Sequence, residues 1–151
     1  MRCAAAFRKI LHSLVMEAVL TPAKMDTVRA DLLRFCLPPL EDILHERYRD
    51  LFSDNESIGR VLRLSHATAW RFLITGDMQD FDAARAVLVG AARRSGVPEG
   101  FVDGLDHELM TELLTLVFVR HRGSVRTIGA YIRAATEIAG NVFQRRCLAA
   151  A

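Results

Sequence analysis

The histidines of this chain are its best candidates for metal ligands, and their spacing does not favour a metal site. A site needs several His, Cys or acidic ligands that converge in space. One helical turn after His45 and His66 stand Arg49 and Trp70, which are not ligands. His107 is followed directly by an acidic residue, which points to a different side of a helix. We therefore expect no dedicated metal site. The simplest interpretation is that three histidines are solvated: His45, His107 and His121.

Nucleophilic catalysis has no recognisable pattern either. Ser65 and His66 are neighbours, but on a helix adjacent side chains diverge by about 100°. The chain has no glycine-framed nucleophile turn and no phosphate loop. Cys36 ends an apolar face and is expected in the core. Asp103 and Asp106 stand near a helix start, where the helix dipole favours carboxylates. The sequence thus predicts no enzyme.

Composition narrows the remaining classes. The chain has 151 residues, of which 51% are apolar and 25% charged, and the formal charge is only +2. Such a chain fits one globular domain spanning 1–151. Its arginines are scattered rather than gathered in a one-sided basic stripe, so we expect no nucleic-acid partner.

Three cysteines without Cys-x-x-Cys spacing indicate a reducing compartment. Charged residues interrupt the first 20 positions, and no apolar run reaches the roughly 18 residues of a membrane helix. We predict a cytoplasmic protein with no membrane partner.

The elements that would position these residues are all helical. Apolar residues recur at i, i+3 and i+4 almost throughout. Thr21-Pro22 and Pro38-Pro39 are typical of helix boundaries, Gly76 and Gly96 of helix C-termini, and Asp80 of an N-cap. The predicted helices run at about 4–20, 22–36, 39–52, 57–75, 81–95, 98–121 and 124–147. Trp70, on the apolar face of its helix, is expected to be buried.

The last two predicted helices carry more apolar residues than one core-facing stripe needs. A helix that is apolar all round is either central in a core or partly in a subunit interface. Their apolar residues form two long seams: Leu109, Leu113 and Leu116 in one helix, and Ile132, Ala135 and Ala139 in the other. We predict a homodimer through the helices at about 98–121 and 124–147. The alternative is that the first helix covers this surface within one chain.

Several local motifs resemble the sensor globins, the input domains of bacterial globin-coupled sensors, and the related protoglobins. The stretch 43–52 resembles that family's helix B. Tyr48 matches the family's tyrosine, and Arg47 stands where phenylalanine is usual. Trp70, with the leucine and glycine that follow it, resembles the end of helix E. Phe81 stands where the family often has tyrosine at the start of helix F. Gly90, followed by the Gly-Val-Pro of 96–98, resembles the turn between helices F and G.

The resemblance implies a globin-like bundle of about seven helices with an extra N-terminal helix. It also implies that Tyr48, His66 and Trp70 stand where haem-pocket residues stand in the family. However, the proximal histidine position is Ala92, or Arg93 in a shifted count, and no histidine occurs between His66 and His107. The proximal ligand is a principal hold on globin haem.

Haem-less sensor globins are known among stress-signalling regulators. We therefore expect a non-enzymatic signal-input or regulatory domain without haem, acting on a downstream signalling protein. The alternative is a haem-binding gas sensor with a non-standard ligand, for which His66 and His107 are the remaining candidates. A small helical enzyme is a third hypothesis, which a cluster of buried polar groups would revive.

Overall fold

The structure, a computed structural model, describes residues 21–123 and 125–149, with side chains of the last helix described for 127–142. Within these ranges all regular structure is α-helical, which confirms the all-α prediction there. The helices are α1 (Pro22–Phe35), α2 (Leu37–Leu51), α3 (Glu56–Thr75), α4 (Met78–Arg94), α5 (Phe101–His121) and α6 (Val125–Ala149). The helix predicted at 4–20 lies outside the described residues. Among the described residues, no helix is long and apolar enough to cross a membrane.

The helix boundaries follow from local capping chemistry. The Thr21 hydroxyl accepts a hydrogen bond from the Lys24 backbone N–H at 3.2 Å, and a proline occupies the first turn of α1. The Asn55 side chain accepts one from the Ile58 backbone N–H at the start of α3. Gly76 ends α3 in the left-handed conformation, with φ of 84°. These ends satisfy backbone groups that have no partner inside the helix.

Three predicted helix starts differ from the structure. Helix α4 begins at Met78 after an Asp77 N-cap, so the prediction of an Asp80 cap is wrong. Helix α5 begins at Phe101 rather than 98, because Gly100 has a left-handed φ of 82° that a helix cannot include. Helix α2 begins at Leu37, since two prolines fit its first turn.

Helix α3 lies at the centre of the fold and packs against α1, α2, α4 and α6. Trp70, Leu73 and Ile74 are buried on it, as predicted for Trp70. Helices α2 and α3 approach closely at Gly59, where an added Cβ would lie 3.2 Å from the Tyr48 carbonyl oxygen. A small residue is therefore required at this contact unless the helices shift.

The predicted dimer seam is partly wrong. Leu109, Leu113 and Ala135 are fully buried within the chain itself, where α5 packs against α6, so they are not accessible to a second subunit. Leu116 and Ala139 are half-buried. The reason is that the last two helices pack on each other and on the rest of the core. The large apolar side chains of α5 that remain exposed are Phe118 at 43% and Val119 at 61%.

Gly76 supplies a stability test with an internal control. A Cβ at Gly76 would lie 3.0 Å from the Arg29 guanidinium, which donates a hydrogen bond to the Ile74 carbonyl oxygen. Gly96 also has a positive φ, but a Cβ there meets nothing within 4 Å. We expect Gly96→Ala to cost about 1–2 kcal/mol from backbone strain alone. Gly76→Ala should cost more, because Arg29 must also move. Urea denaturation followed by circular dichroism measures both, and equal costs would contradict the Arg29 contact.

Candidate functional site: a buried polar network

Five polar side chains from four helices meet in the core around one carboxylate. Tyr48 comes from α2, His66 and Trp70 from α3, Arg85 from α4 and Asp106 from α5. His66 is 0% exposed and Asp106 1% exposed. We call these five residues the Asp106 network.

Each contact in the Asp106 network has hydrogen-bond geometry. The Tyr48 hydroxyl lies 2.8 Å from Nδ1 of His66, and Nε2 of His66 lies 2.8 Å from Oδ1 of Asp106. The Trp70 indole N–H donates to the same Oδ1 at 2.8 Å. The Arg85 guanidinium donates to Oδ2 of Asp106 and, at 2.8 Å, to Oδ1 of Asp103. Both carboxylate oxygens of Asp106 are therefore occupied.

Helical spacing explains why these residues point inward. His66 and Trp70 are four residues apart and share the core face of α3. Tyr48 follows Leu44 by one turn on the buried face of α2. Asp106 precedes Leu109 and Met110 by three and four residues, which places it on the buried stripe of α5. The network is thus built at positions that would otherwise hold apolar side chains.

The hydrogen bonds fix the direction of the protons. An ionised Asp106 can only accept, so Nε2 of His66 must carry a proton. Burial, first, and then the charge of Asp106 raise the pKa of Tyr48, while Arg85 lowers it by a smaller amount. Tyr48 therefore remains a hydroxyl, and it shares a hydrogen bond with Nδ1 of His66. The network thus runs without a break from Tyr48 through His66 to Asp106.

The surroundings of Asp106 keep it ionised. Burial alone raises the pKa of Asp106, but the hydrogen bond and charge of His66, the charge of Arg85 and the indole of Trp70 together lower it. Asp106 is therefore an anion at neutral pH, and the guanidinium of Arg85 supplies a counter-charge beside it. Arg85 links the core to the surface, since its side chain is 19% exposed and that of Asp103 is 51% exposed.

The sequence identified three of the five residues. The structure brings Tyr48, His66 and Trp70 together, and Tyr48 is fully buried with its hydroxyl bonded to a side chain of another helix. Asp106 and Arg85 were missed. The dipole explanation for Asp106 is wrong, because the carboxylate is buried and accepts from side chains on α3 and α4. Its position on the apolar stripe with Leu109 was the signal that could have found it.

The residues present do not fit a haem. Both ring nitrogens of His66 are already engaged, by Tyr48 and by Asp106, so neither is available to an iron. Ala92, at the proximal position, is 4% exposed and carries no ligand atom. His107 is exposed on the surface of α5. Across the described ranges, no group of three His, Cys, Asp or Glu is placed to hold a metal.

Two other sequence expectations concern Cys36 and the histidines outside the network. Cys36 is buried, as expected, and burial raises the pKa of its thiol to about 11, so it is not a reactive thiolate. His45 and His107 are exposed, but His121 is not simply solvated. Its ring stacks on Tyr131 at 3.9 Å, and its Nε2 is buried without a hydrogen-bond partner among the described residues.

Comparison with known proteins gives no relative for this chain. No family model, no curated protein and no solved structure matches it. The assignment of the Asp106 network to any function therefore depends on its own geometry.

Asp106→Asn tests the network through its pH dependence. The pKa of Asp106 is lower in the folded chain than in the unfolded chain, where it is about 4. The ionised carboxylate therefore stabilises the fold at pH values above about 4, and this stabilisation is lost as the pH falls below that value. At pH 7 we expect Asp106→Asn to cost about 3–5 kcal/mol, because Arg85 loses its buried partner. The difference from the parent chain should shrink as the pH falls through about 4 and below.

Asp103→Asn is the matched control, since Asp103 also bonds Arg85 but is exposed. It should cost less than about 1 kcal/mol, as surface ion pairs do. Denaturant unfolding at several pH values measures both variants. Equal costs for the two, or a cost for Asp106→Asn that does not shrink in acid, would refute this account of the network.

Proposed function

We propose that this chain is a non-enzymatic signal-input or regulatory domain with a sensor-globin-like fold that works without haem. The observation that carries the proposal is the closed Asp106 network. Tyr48, His66 and Trp70, which the resemblance aligns with the haem-pocket region, direct their polar atoms to each other and to Asp106. Side chains thus occupy the hydrogen-bonding positions that a gas-binding pocket would direct toward iron and its ligand.

The arrangement suits a switch better than a rigid scaffold. A buried ion pair stabilises less than well-packed apolar side chains of similar volume often do, so it is weak evidence for stability. One use of such groups is to specify a single arrangement among several. Here one carboxylate connects α3, α4 and α5 directly, and α2 through His66. A signal that displaced Arg85 would remove the counter-charge of Asp106, and the packing of all four helices would change.

The burial of the network argues against catalysis. A cluster of buried polar groups is what the enzyme hypothesis needed, and the core contains one. However, a general base must come within hydrogen-bond distance of a substrate proton. Tyr48 and His66 have no exposed surface, and the acceptor atoms of His66 and Asp106 are used inside the network. We therefore assign the network a structural and regulatory role in a cytoplasmic regulator that acts on a downstream signalling protein.

A haem-binding gas sensor is the second candidate. Tyr48 favours it, because a tyrosine at this position of helix B donates to bound oxygen in the family. It requires His66 to give up both of its partners, or a surface residue such as His107 to act as the ligand.

Reconstitution with hemin separates the two candidates. We expect no stoichiometric Soret band and no spectral shift with carbon monoxide, because the side chain of Ala92 cannot hold iron. If a haem spectrum formed, the proposal of a haem-less domain would be wrong. His66→Gln and His107→Gln, titrated in parallel, would then show which histidine ligates.

The homodimer remains a prediction, now placed on the exposed part of α5. Phe118 and Val119 lie near the C-terminal end of α5 and keep much of their apolar surface in solvent. Light scattering should give about twice the 16.9 kDa chain mass, as a closed two-fold dimer requires. Val119→Glu should shift the mass toward the monomer. Val87→Glu, a similarly exposed control on α4, should not. A monomer at all concentrations would refute the dimer.

A further inference from the structure

A groove of about 620 Å³ lies between α2 and α3, beside the Asp106 network. His45 and Arg49 line it from α2, with Phe52 at the end of that helix, and Arg60 and Arg63 line it from α3. These residues are spaced four and three apart, so they share one face of each helix. Tyr48, whose hydroxyl belongs to the network, lies buried directly beneath the groove.

The close approach of the two helices forms part of the groove lining. Gly59 has no side chain, and a Cβ there would lie 3.2 Å from both the Tyr48 carbonyl oxygen and Cβ of Phe52. Gly59 is itself buried, and the half-buried Phe52 beside it offers an apolar side chain to the groove. The groove combines an apolar surface with positive charge.

The charges in the groove are not balanced. Arg60 and Arg63 form no ion pair with any residue in the described part of the chain, although they are one turn apart and repel each other. Of the two acids in the lining, Asp50 lies 3.6 Å from Arg49. The other, Glu56, is in the first turn of α3 and forms no ion pair with Arg60 one turn later. The lining thus carries three arginines and two carboxylates, and neither Arg60 nor Arg63 has an ion-pair partner among the described residues.

Ion pairs with Asp or Glu are formed by six other described arginines: Arg29, Arg47, Arg49, Arg71, Arg85 and Arg133. Several arginines elsewhere in the described chain also form no ion pair, so Arg60 and Arg63 are distinguished by the groove that they line together. A bound anion would relieve their repulsion.

We propose that this groove binds a small phosphate monoester with an aromatic body. A guanidinium group matches a phosphate through two parallel hydrogen bonds. A phosphate monoester carries about −1.5 to −2 charges at neutral pH, which matches two guanidinium groups, whereas a carboxylate would neutralise only one. The volume lies within the roughly 300–1,000 Å³ of small-molecule sites. Phe52 supplies a contact for the organic part. This proposal stands independently of the proposed regulatory function.

Isothermal titration calorimetry on the full chain tests the site, with AMP, adenosine and inorganic phosphate as probes. We expect AMP to bind at least about tenfold more tightly than adenosine, which lacks the phosphate, and more tightly than phosphate, which lacks the aromatic body. Adenosine equal to AMP, phosphate equal to AMP, or no AMP binding at millimolar concentration would each overturn the proposal.

Matched arginine variants locate the binding on the groove face. The double variant Arg60→Gln/Arg63→Gln should lose at least about tenfold in AMP affinity, and the corresponding double lysine variant should fall between it and the parent, since it keeps charge but not the planar fork. Arg71→Gln is the control, because Arg71 lies on α3 outside the groove and is exposed. An equal loss in the control would overturn the site. Circular dichroism of each variant verifies that it is folded, as expected for arginines without ion pairs.

Discussion

A carboxylate can be buried only if other groups replace the hydrogen bonds that water supplied, and this requirement of Asp106 constrains the whole fold. The cost of burying an unpaired charge is far larger than the stability of a domain of this size. Three donors from α3 and α4 therefore have to arrive at one point on α5: the imidazole of His66, the indole of Trp70 and the guanidinium of Arg85. Tyr48 extends the requirement to α2. Apolar packing tolerates small shifts of one helix against another, but this set of hydrogen bonds does not.

The same constraint explains which parts of the structure the sequence could predict. Helices and their ends are encoded locally, in the proline after Thr21 and in Gly76, and these predictions agree with the structure to within a few residues. The N-cap of α4 was placed only three residues too late, at Asp80 instead of Asp77. Burial of Trp70 followed from the periodicity of α3 alone.

Tertiary partners are not encoded locally, and there the sequence was insufficient. The place of Asp106 on the apolar stripe of α5 indicates burial, but it does not name a partner 40 residues earlier in the chain. Arg85 lies one turn from the buried Phe81 and Leu88 on α4, and only the fold places its guanidinium against α5. Likewise, the apolar excess of α5 and α6 was compatible with an interface or a core. The structure assigns Leu109, Leu113 and Ala135 to the core of a single chain.

The indole of Trp70 gives this core an optical consequence. The chain contains one tryptophan, so its emission comes from a single place, and that place donates a hydrogen bond to the central carboxylate. Protonating Asp106, or moving it away, would change the electric field along the indole ring. Intrinsic fluorescence therefore reads the state of the buried ion pair directly, without an attached dye, and separates a rearrangement of the core from events confined to the surface.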